Sequence, residues 1–398
     1  MAMAAAPEQL QRPSSPSPAI RVLHTAHVHP SPPSPELSVP LTLYDVFWLR
    51  APPVQRVFLY RLEPDVDVDA VVSNLKCSLA QALRGFLPLA GRLRLTPSTA
   101  NRHELHYRPG DAVTFTVAES DDDVEYLAAD EPREVSRLAV LAPPLPEYDA
   151  VLALKATVFK SGGLALGATV HHAACDGAAS THFLHTWAAC CAGTTGTRPP
   201  PDPPVISDPM GLYNVFFRAV APSTEDMNRN MSNDEDKQLL FGTFVLSRAH
   251  LQRVKDDLVA AARGVAPPQR CSSLVATLGL VWSCHHRDRA NIHGSRNKKT
   301  GCLLFTVDHR SRLNPPLPDK YLGNCVGPAL ATVSTAQLRE AGRAVDRVDV
   351  VSIARTGAVA VAESRVGDGG MEVGLALPPD GIYAFRNYFA GLDADGAR

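Results

Sequence analysis

With 398 residues the chain has room for two to three domains and can bury a core that needs no covalent staples. Basic and acidic residues nearly balance, 39 against 41, for a net charge of −2, so neither nucleic acid nor an anionic membrane is an expected partner. The eight cysteines form no Cys-x-x-Cys pair and several sit inside apolar runs, which argues against a disulfide framework and for a reducing compartment.

Met1 to Pro7 lacks the positive and apolar regions of a signal peptide, and no run approaches the ~18 apolar residues of a spanning helix; a cytoplasmic protein is expected. Residues 1–39, rich in Pro, Ser and Ala, read as a flexible N-terminus. A first domain, 40–192, opens on the apolar cluster Pro40–Trp48. Val54–Leu62 predicts a strand, and Asp67–Phe86, with Val71, Val72, Leu75, Leu79 and Leu83 at helical spacing, predicts an amphipathic helix. Asp121-Asp122-Asp123 reads as a solvated surface turn. Val151–Phe159 and Leu164–His172 are strand-like runs around Ser161-Gly162-Gly163, a hairpin signal. Ala178–Cys191 then turns helical, with Phe183, Leu184, Trp187 and Cys191 on one side.

Gly193–Pro209 is dense in Gly, Thr, Pro and Asp, so 193–236 reads as a linker before a second domain, 237–398. That domain restarts with a strand, Leu239–Leu246, followed by a helix that Ser247 caps and that runs to about Ala262. Ser272-Ser273 precedes a second helix, to about His286, and a polar loop with Lys298-Lys299 leads to a strand, Cys302–Val307. Val348–Ile353, Ala358–Ala362 and Met371–Leu377 predict strands, and Ile382–Leu392 a closing helix. Strands and helices alternate in both halves, which places the chain in the α/β or mixed α+β class with two domains of similar size.

Four side chains of chemical interest lie within six residues: His171, His172, Cys175 and Asp176, where a predicted strand gives way to a helix. Period-two alternation puts His172 on the face of Leu164, Leu166 and Val170, with His171 opposite. Three roles compete. His and Cys could ligate zinc, but no second ligand pair is spaced to complete the site. His171 could be a core histidine satisfied by hydrogen bonds. His172 could be a general base with Asp176 fixing the loop, since imidazole is largely neutral near physiological pH.

The surrounding segments favour the third. His172-x-x-x-Asp176-Gly177 resembles the signature of the plant BAHD acyltransferases and of the wider chloramphenicol-acetyltransferase-like fold. Leu41–Leu49, Phe86-Leu-Pro-Leu-Ala-Gly-Arg-Leu93 and Val307-Asp-His-Arg-Ser-Arg-Leu-Asn-Pro-Pro316 are similar to further segments of that family, in family order. Tyr321-Leu-Gly-Asn-Cys325 resembles the motif of the clade that acylates anthocyanins and other phenolic glycosides. The resemblance spans about Pro40 to Leu377.

It implies two chloramphenicol-acetyltransferase-like domains with the active site at their interface. It implies acyl-CoA, possibly malonyl-CoA, as co-substrate, no permanently bound cofactor and no metal. The partner is a small-molecule acceptor, a hydroxyl of a phenolic or flavonoid glycoside, and the enzyme is a monomer. His172 takes the acceptor's proton; Asp176 points away from substrate and pairs with an arginine, Arg310 or Arg312. Ser272 and Ser273 match a position beside CoA, and Gly323 and Asn324 match residues near the inner tunnel. Lys298 and Lys299 are either a phosphate clamp or a solvated basic loop, and Trp48 is either acceptor-lining or core. Cys175 is expected to be filler, since no acyl-enzyme is required. One departure stands out: the family's Asp-Phe-Gly-Trp-Gly motif is missing, with Gly342-Arg343 its last remnant. The second domain is therefore expected to be shortened, which raises a rival expectation, a non-catalytic or poorly folded relative that at most binds CoA or a phenolic ligand. A thioester hydrolase is a third.

Overall fold

The computed structural model describes residues 20–146, 149–194, 206–219, 239–261, 271–292, 300–334 and 359–394. In the first half, chain order runs β1 (Ile20–Val28), β2 (Leu37–Pro40), α1 (Leu43–Val46), β3 (Val54–Arg61), α2 (Val68–Leu83), α3 (Leu87–Ala90), β4 (Arg92–Leu95), β5 (His103–Tyr107) and β6 (Val113–Ser120). It continues through α4 (Val124–Ala128), β7 (Arg133–Glu134), α5 (Val135–Ala139), β8 (Leu152–Phe159), β9 (Gly163–Val170) and α6 (Gly177–Cys191). The second half holds α7 (Leu212–Ala219), β10 (Leu240–Leu246), α8 (Arg248–Ala261), α9 (Ser273–Ile292), β11 (Thr300–Asp308), β12 (Val326–Ser334), β13 (Val359–Glu363), β14 (Met371–Leu377) and α10 (Pro379–Ala394).

β8 and β9 form the expected hairpin at the centre of a five-stranded sheet of order β1-β6-β8-β9-β3, in which only β6 and β8 run parallel. All eight residues of β9 are buried, because α2 and α6 cover one face of the sheet while loop 141–143 presses on the other. Gly167 is needed for that approach: a Cβ there would lie 2.1 Å from the Leu141 carbonyl oxygen. Asp67 caps α2 by accepting the Ala70 N–H, and Trp187 of α6 donates its indole N–H to Leu75 O and Ser78 Oγ of α2. These contacts lock the two helices together over the sheet, so that the β9–α6 junction sits on a rigid base.

Three expectations need correction. The stretch taken as a flexible N-terminus, 1–39, contains β1, paired along β6, and most of β2, paired with β5; residues before 20 lie outside the description. Pro30, Pro32, Pro33 and Pro35 lie between β1 and β2, and Pro40, just past the stretch, closes an edge strand where a missing N–H is tolerated. The run Asp121–Asp123 is not uniformly solvated: Asp122 is buried against Arg137, and Asp123 caps α4 through the Glu125 N–H. The two halves are also not cleanly sequential. β7 adds to the second half's sheet, giving the order β13-β14-β10-β7, and Arg365 and Arg386 pair with Asp130 and Glu131 beside it.

The second half has its own core, in which Phe244, Leu246, Leu280, Val373, Ile382 and Phe385 pack α9 and α10 on that sheet. β11 and β12 stand apart as a two-stranded sheet, and Leu304 and Leu330, opposite one another across it, are 68% and 62% exposed. The predicted strand Val348–Ile353 and the remnant Gly342-Arg343 lie outside the described residues.

Leu280, fully buried, should cost ~2–5 kcal/mol of stability as Leu280→Ala. The exposed pair replaced together, Leu304→Thr with Leu330→Thr, should shift it by ~0.5 kcal/mol or less. Urea unfolding of both variants measures the contrast.

Candidate active site

β9 ends at Val170, yet the His171 N–H still donates to Val151 O at 2.8 Å, so the sheet holds the chain for one residue more. Beyond it the strand period no longer applies, and both histidines are half-buried rather than one in and one out. Residues 173–176 are buried, and Asp176 is the N-cap of α6, its Oδ1 accepting the Ala179 N–H at 3.0 Å. His172 is thus held between a strand end and a helix start.

The Asp176 carboxylate also receives the Arg310 guanidinium, at 3.0 Å on Oδ1 and 2.8 Å on Oδ2, and the Cys325 N–H at 2.9 Å. Four donors satisfy a buried anion whose isolated burial would cost several kcal/mol. Arg310 is 3% exposed and donates further to the Tyr321 and Gly323 carbonyls and to Asp308. Arg312, the other arginine considered, is exposed and does not reach Asp176. Asp176 therefore anchors the loop to the segment 308–325.

Asn324 makes the second link. Its Nδ2 donates to the His172 carbonyl at 2.9 Å and to Asp45 Oδ1 at 3.0 Å, and its backbone N–H reaches the same Asp45 oxygen at 2.8 Å. Asp45 is buried and closes a capping box with Thr42 at the start of α1. Gly323, before Asn324, adopts φ +141°, and a Cβ there would lie 2.6 Å from the Tyr321 hydroxyl oxygen and 2.8 Å from its ring. Just past α1, Trp48 lays its indole on the His172 imidazole, with ring centroids 4.0 Å apart and planes 4° from parallel. Asp45 was missed by sequence reasoning. Its signal was the Thr-x-x-Asp spacing at Thr42, readable as a cap but not as a partner of a residue 279 positions away.

Electrostatics separate the candidates. Burial lowers the His172 pKa below the ordinary histidine value, against the opposing pull of Asp176 and Asn324, so the ring is neutral at physiological pH. His171 is pushed down to about 4 by burial and by His172, and its Nδ1 accepts the Ala173 N–H at 3.2 Å, as a neutral structural histidine does. Burial raises the Cys175 thiol to about 12, with Asp176 adding to it, so it is no thiolate nucleophile. Among the described residues no group of three His, Cys, Asp or Glu side chains is arranged to hold a metal ion.

The remaining candidates are dispersed. Ser272 Oγ accepts the Val275 N–H at the start of α9, and Ser273 Oγ accepts from Lys255 Nζ at 3.0 Å, a basic neighbour not anticipated. Gly323 and Asn324 belong to the His172 frame itself, and Asn324 is fully buried. Lys298 and Lys299 lie outside the described residues.

A model of the transferase family matches residues 19–355. The chain is 30% identical to a malonyl-CoA:anthocyanidin 5-O-glucoside-6''-O-malonyltransferase of Arabidopsis thaliana, covering 94% of this chain and 99% of the relative. The chain belongs to the BAHD acyltransferase family. A second BAHD relative, phenolic glucoside malonyltransferase 1 of the same plant, is 31% identical over 80% of this chain and 73% of its own. Vinorine synthase shares the fold, with a TM-score of 0.65 at 18% identity over 94% of this chain and 98% of that one. So does an F. graminearum protein complexed with coenzyme A and T-2 mycotoxin, at 0.58 and 11%, over 87% and 96%. The first malonyltransferase alignment runs over 452 residues, longer than this chain, so that relative carries segments with no counterpart here. As a BAHD member the chain is an acyltransferase built on the two-domain chloramphenicol-acetyltransferase-like fold.

Arg310→Met leaves the Asp176 carboxylate buried without its cation and should cost ~3–5 kcal/mol, whereas Arg312→Met at the surface should cost ~0.5 kcal/mol or less. Chemical denaturation compares them.

Proposed function

We propose that this protein transfers an acyl group, malonyl in the first instance, from its CoA thioester to a hydroxyl of a phenolic or flavonoid glycoside, with His172 as general base. The observation that carries this is the placing of His172, held through its own carbonyl by Asn324 and through the loop by Asp176 and Arg310, with burial lowering its pKa. Among the described residues His172 Nδ1 is enclosed and meets no hydrogen-bond partner, and Nε2 is the ring nitrogen proposed to meet the acceptor. The hydroxyl oxygen attacks the thioester carbonyl carbon as its proton passes to Nε2. The tetrahedral intermediate collapses, the C–S bond breaks, and the CoA sulfur takes the proton from the imidazolium.

The malonyl donor and glycoside acceptor rest on the two plant relatives described above and on Tyr321–Cys325, whose Asn324 belongs to the His172 frame. Coenzyme A carries phosphates, and Ser272, Ser273, Lys255, Lys298 and Lys299 are the proposed contacts for them. Asp176 and Asn324 act by holding the loop, not by touching substrate. The enzyme is proposed to act as a monomer in the cytoplasm; among the described residues no helix is long and apolar enough to cross a membrane.

Assay of the purified protein with malonyl-CoA and a panel of phenolic and flavonoid glucosides tests this directly. His172→Ala should lower turnover by ~100-fold or more, while Cys175→Ala should leave it within ~3-fold. Equal turnover by wild type and His172→Ala removes the base. Free malonate without acylated glycoside would identify a hydrolase, and a CoA-shifted melt without any product a binding protein. A base must be unprotonated to act, and the His172 pKa is depressed by burial, so the acid limb of the kcat/KM profile should fall below the ~6.5 of an ordinary histidine.

A further inference from the structure

We propose that Trp48 is a positioning residue for the base, its indole face stabilising the imidazolium that His172 becomes when it takes the acceptor's proton. This rests on the reading of His172 as the base and goes beyond it. The two rings are parallel within 4° and 4.0 Å apart, so the cation would form directly over the ring, well inside the ~6 Å reach of a cation–π interaction. Tryptophan offers the strongest face of the aromatic residues for this purpose.

The indole is not held there by its polar edge among the described residues, where Nε1 is buried without a hydrogen bond. It is placed by its backbone and by packing: the Trp48 N–H donates to Asp45 O at 3.0 Å, and Phe47 meets the indole edge-on at 5.0 Å. Asp45 is the residue that fixes Asn324, which in turn holds the His172 carbonyl. One short helix therefore sets both the backbone of the base and the surface against which its ring lies. A face that favours the charged ring over the neutral one acts as the proton moves and so lowers the barrier rather than tightening substrate binding.

Other titratable and charged groups lie on the elements around His172. His171 and Asp176 lie on its own loop, Arg56 on β3, Asp45 on α1, and Asp308, Arg310 and the Cys325 thiol in the segment docked behind it. None of these is altered when only the electron density of the indole is changed. The test therefore places tryptophan bearing none, one, two and three fluorines at position 48 of the full chain, a series that weakens the face with little change of shape. NMR titration of the labelled His172 ring should show its pKa falling by ~0.5–1 unit along the series. Turnover of malonyl-CoA with a phenolic glucoside should fall ~3- to 10-fold in kcat, with KM for malonyl-CoA within ~2-fold. A His172 pKa that stays constant across the series overturns the proposal, whatever the kinetics show. His172→Ala measured alongside separates the two ideas. An inactive His172→Ala with a flat series sinks this inference alone, and an active one sinks the base.

Discussion

A charge taken out of water must be answered inside the protein, and the contact between Asp176 and Arg310 is where this molecule meets that constraint. The carboxylate caps a helix of the first half, and the guanidinium comes from a turn 134 residues away. Neither is stable where it is without the other, so the loop His172–Asp176 and the segment 308–325 hold each other in place. The Cys325 N–H closes the last site on the carboxylate, and Asn324 beside it fixes His172. The ion pair contributes alignment more than net stability: it fixes where His172 stands relative to the segment 308–325.

That arrangement assigns different work to residues that look alike in sequence. His171 and His172 are adjacent, but one accepts a backbone N–H within its own loop while the other lies under an indole. Arg310 and Arg312 are two apart, yet the short helical turn they form sends one inward and leaves the other in solvent. Cys175 lies in the same loop, three residues after His172, and burial makes its thiolate too costly to matter. Position along the chain brings such residues to the site; the local environment decides which of them can do chemistry.

What the sequence made legible follows the range of the forces involved. The β8–β9 hairpin and the helices α2, α6 and α8 to α10 emerge from periodicity, turns and caps because those signals are local. The loop His172–Asp176 and the inward arginine were within reach once ordered family segments surrounded them. β1 was missed because its polar residues and proline-rich surroundings mimic a disordered tail, while its order comes from pairing Ile20 with Ser120. Asp122 looked like one of three solvated acids because its partner, Arg137, depends on how α5 packs. Asp45 and Asn324 meet across most of the chain, a contact that no window of sequence displays.

The two residues of β7 carry a further meaning for how this protein can be rebuilt. They leave the first half, add an edge to the second half's sheet at Leu240 and Phe241, and return. The connection near 193–236 is therefore not a seam along which the protein comes apart. A chimera cut there, exchanging the second half for that of a relative, would carry its own residues 129–134 into a foreign sheet edge. Recombination between family members will preserve both sheets only where that small crossing is exchanged together with the sheet that receives it.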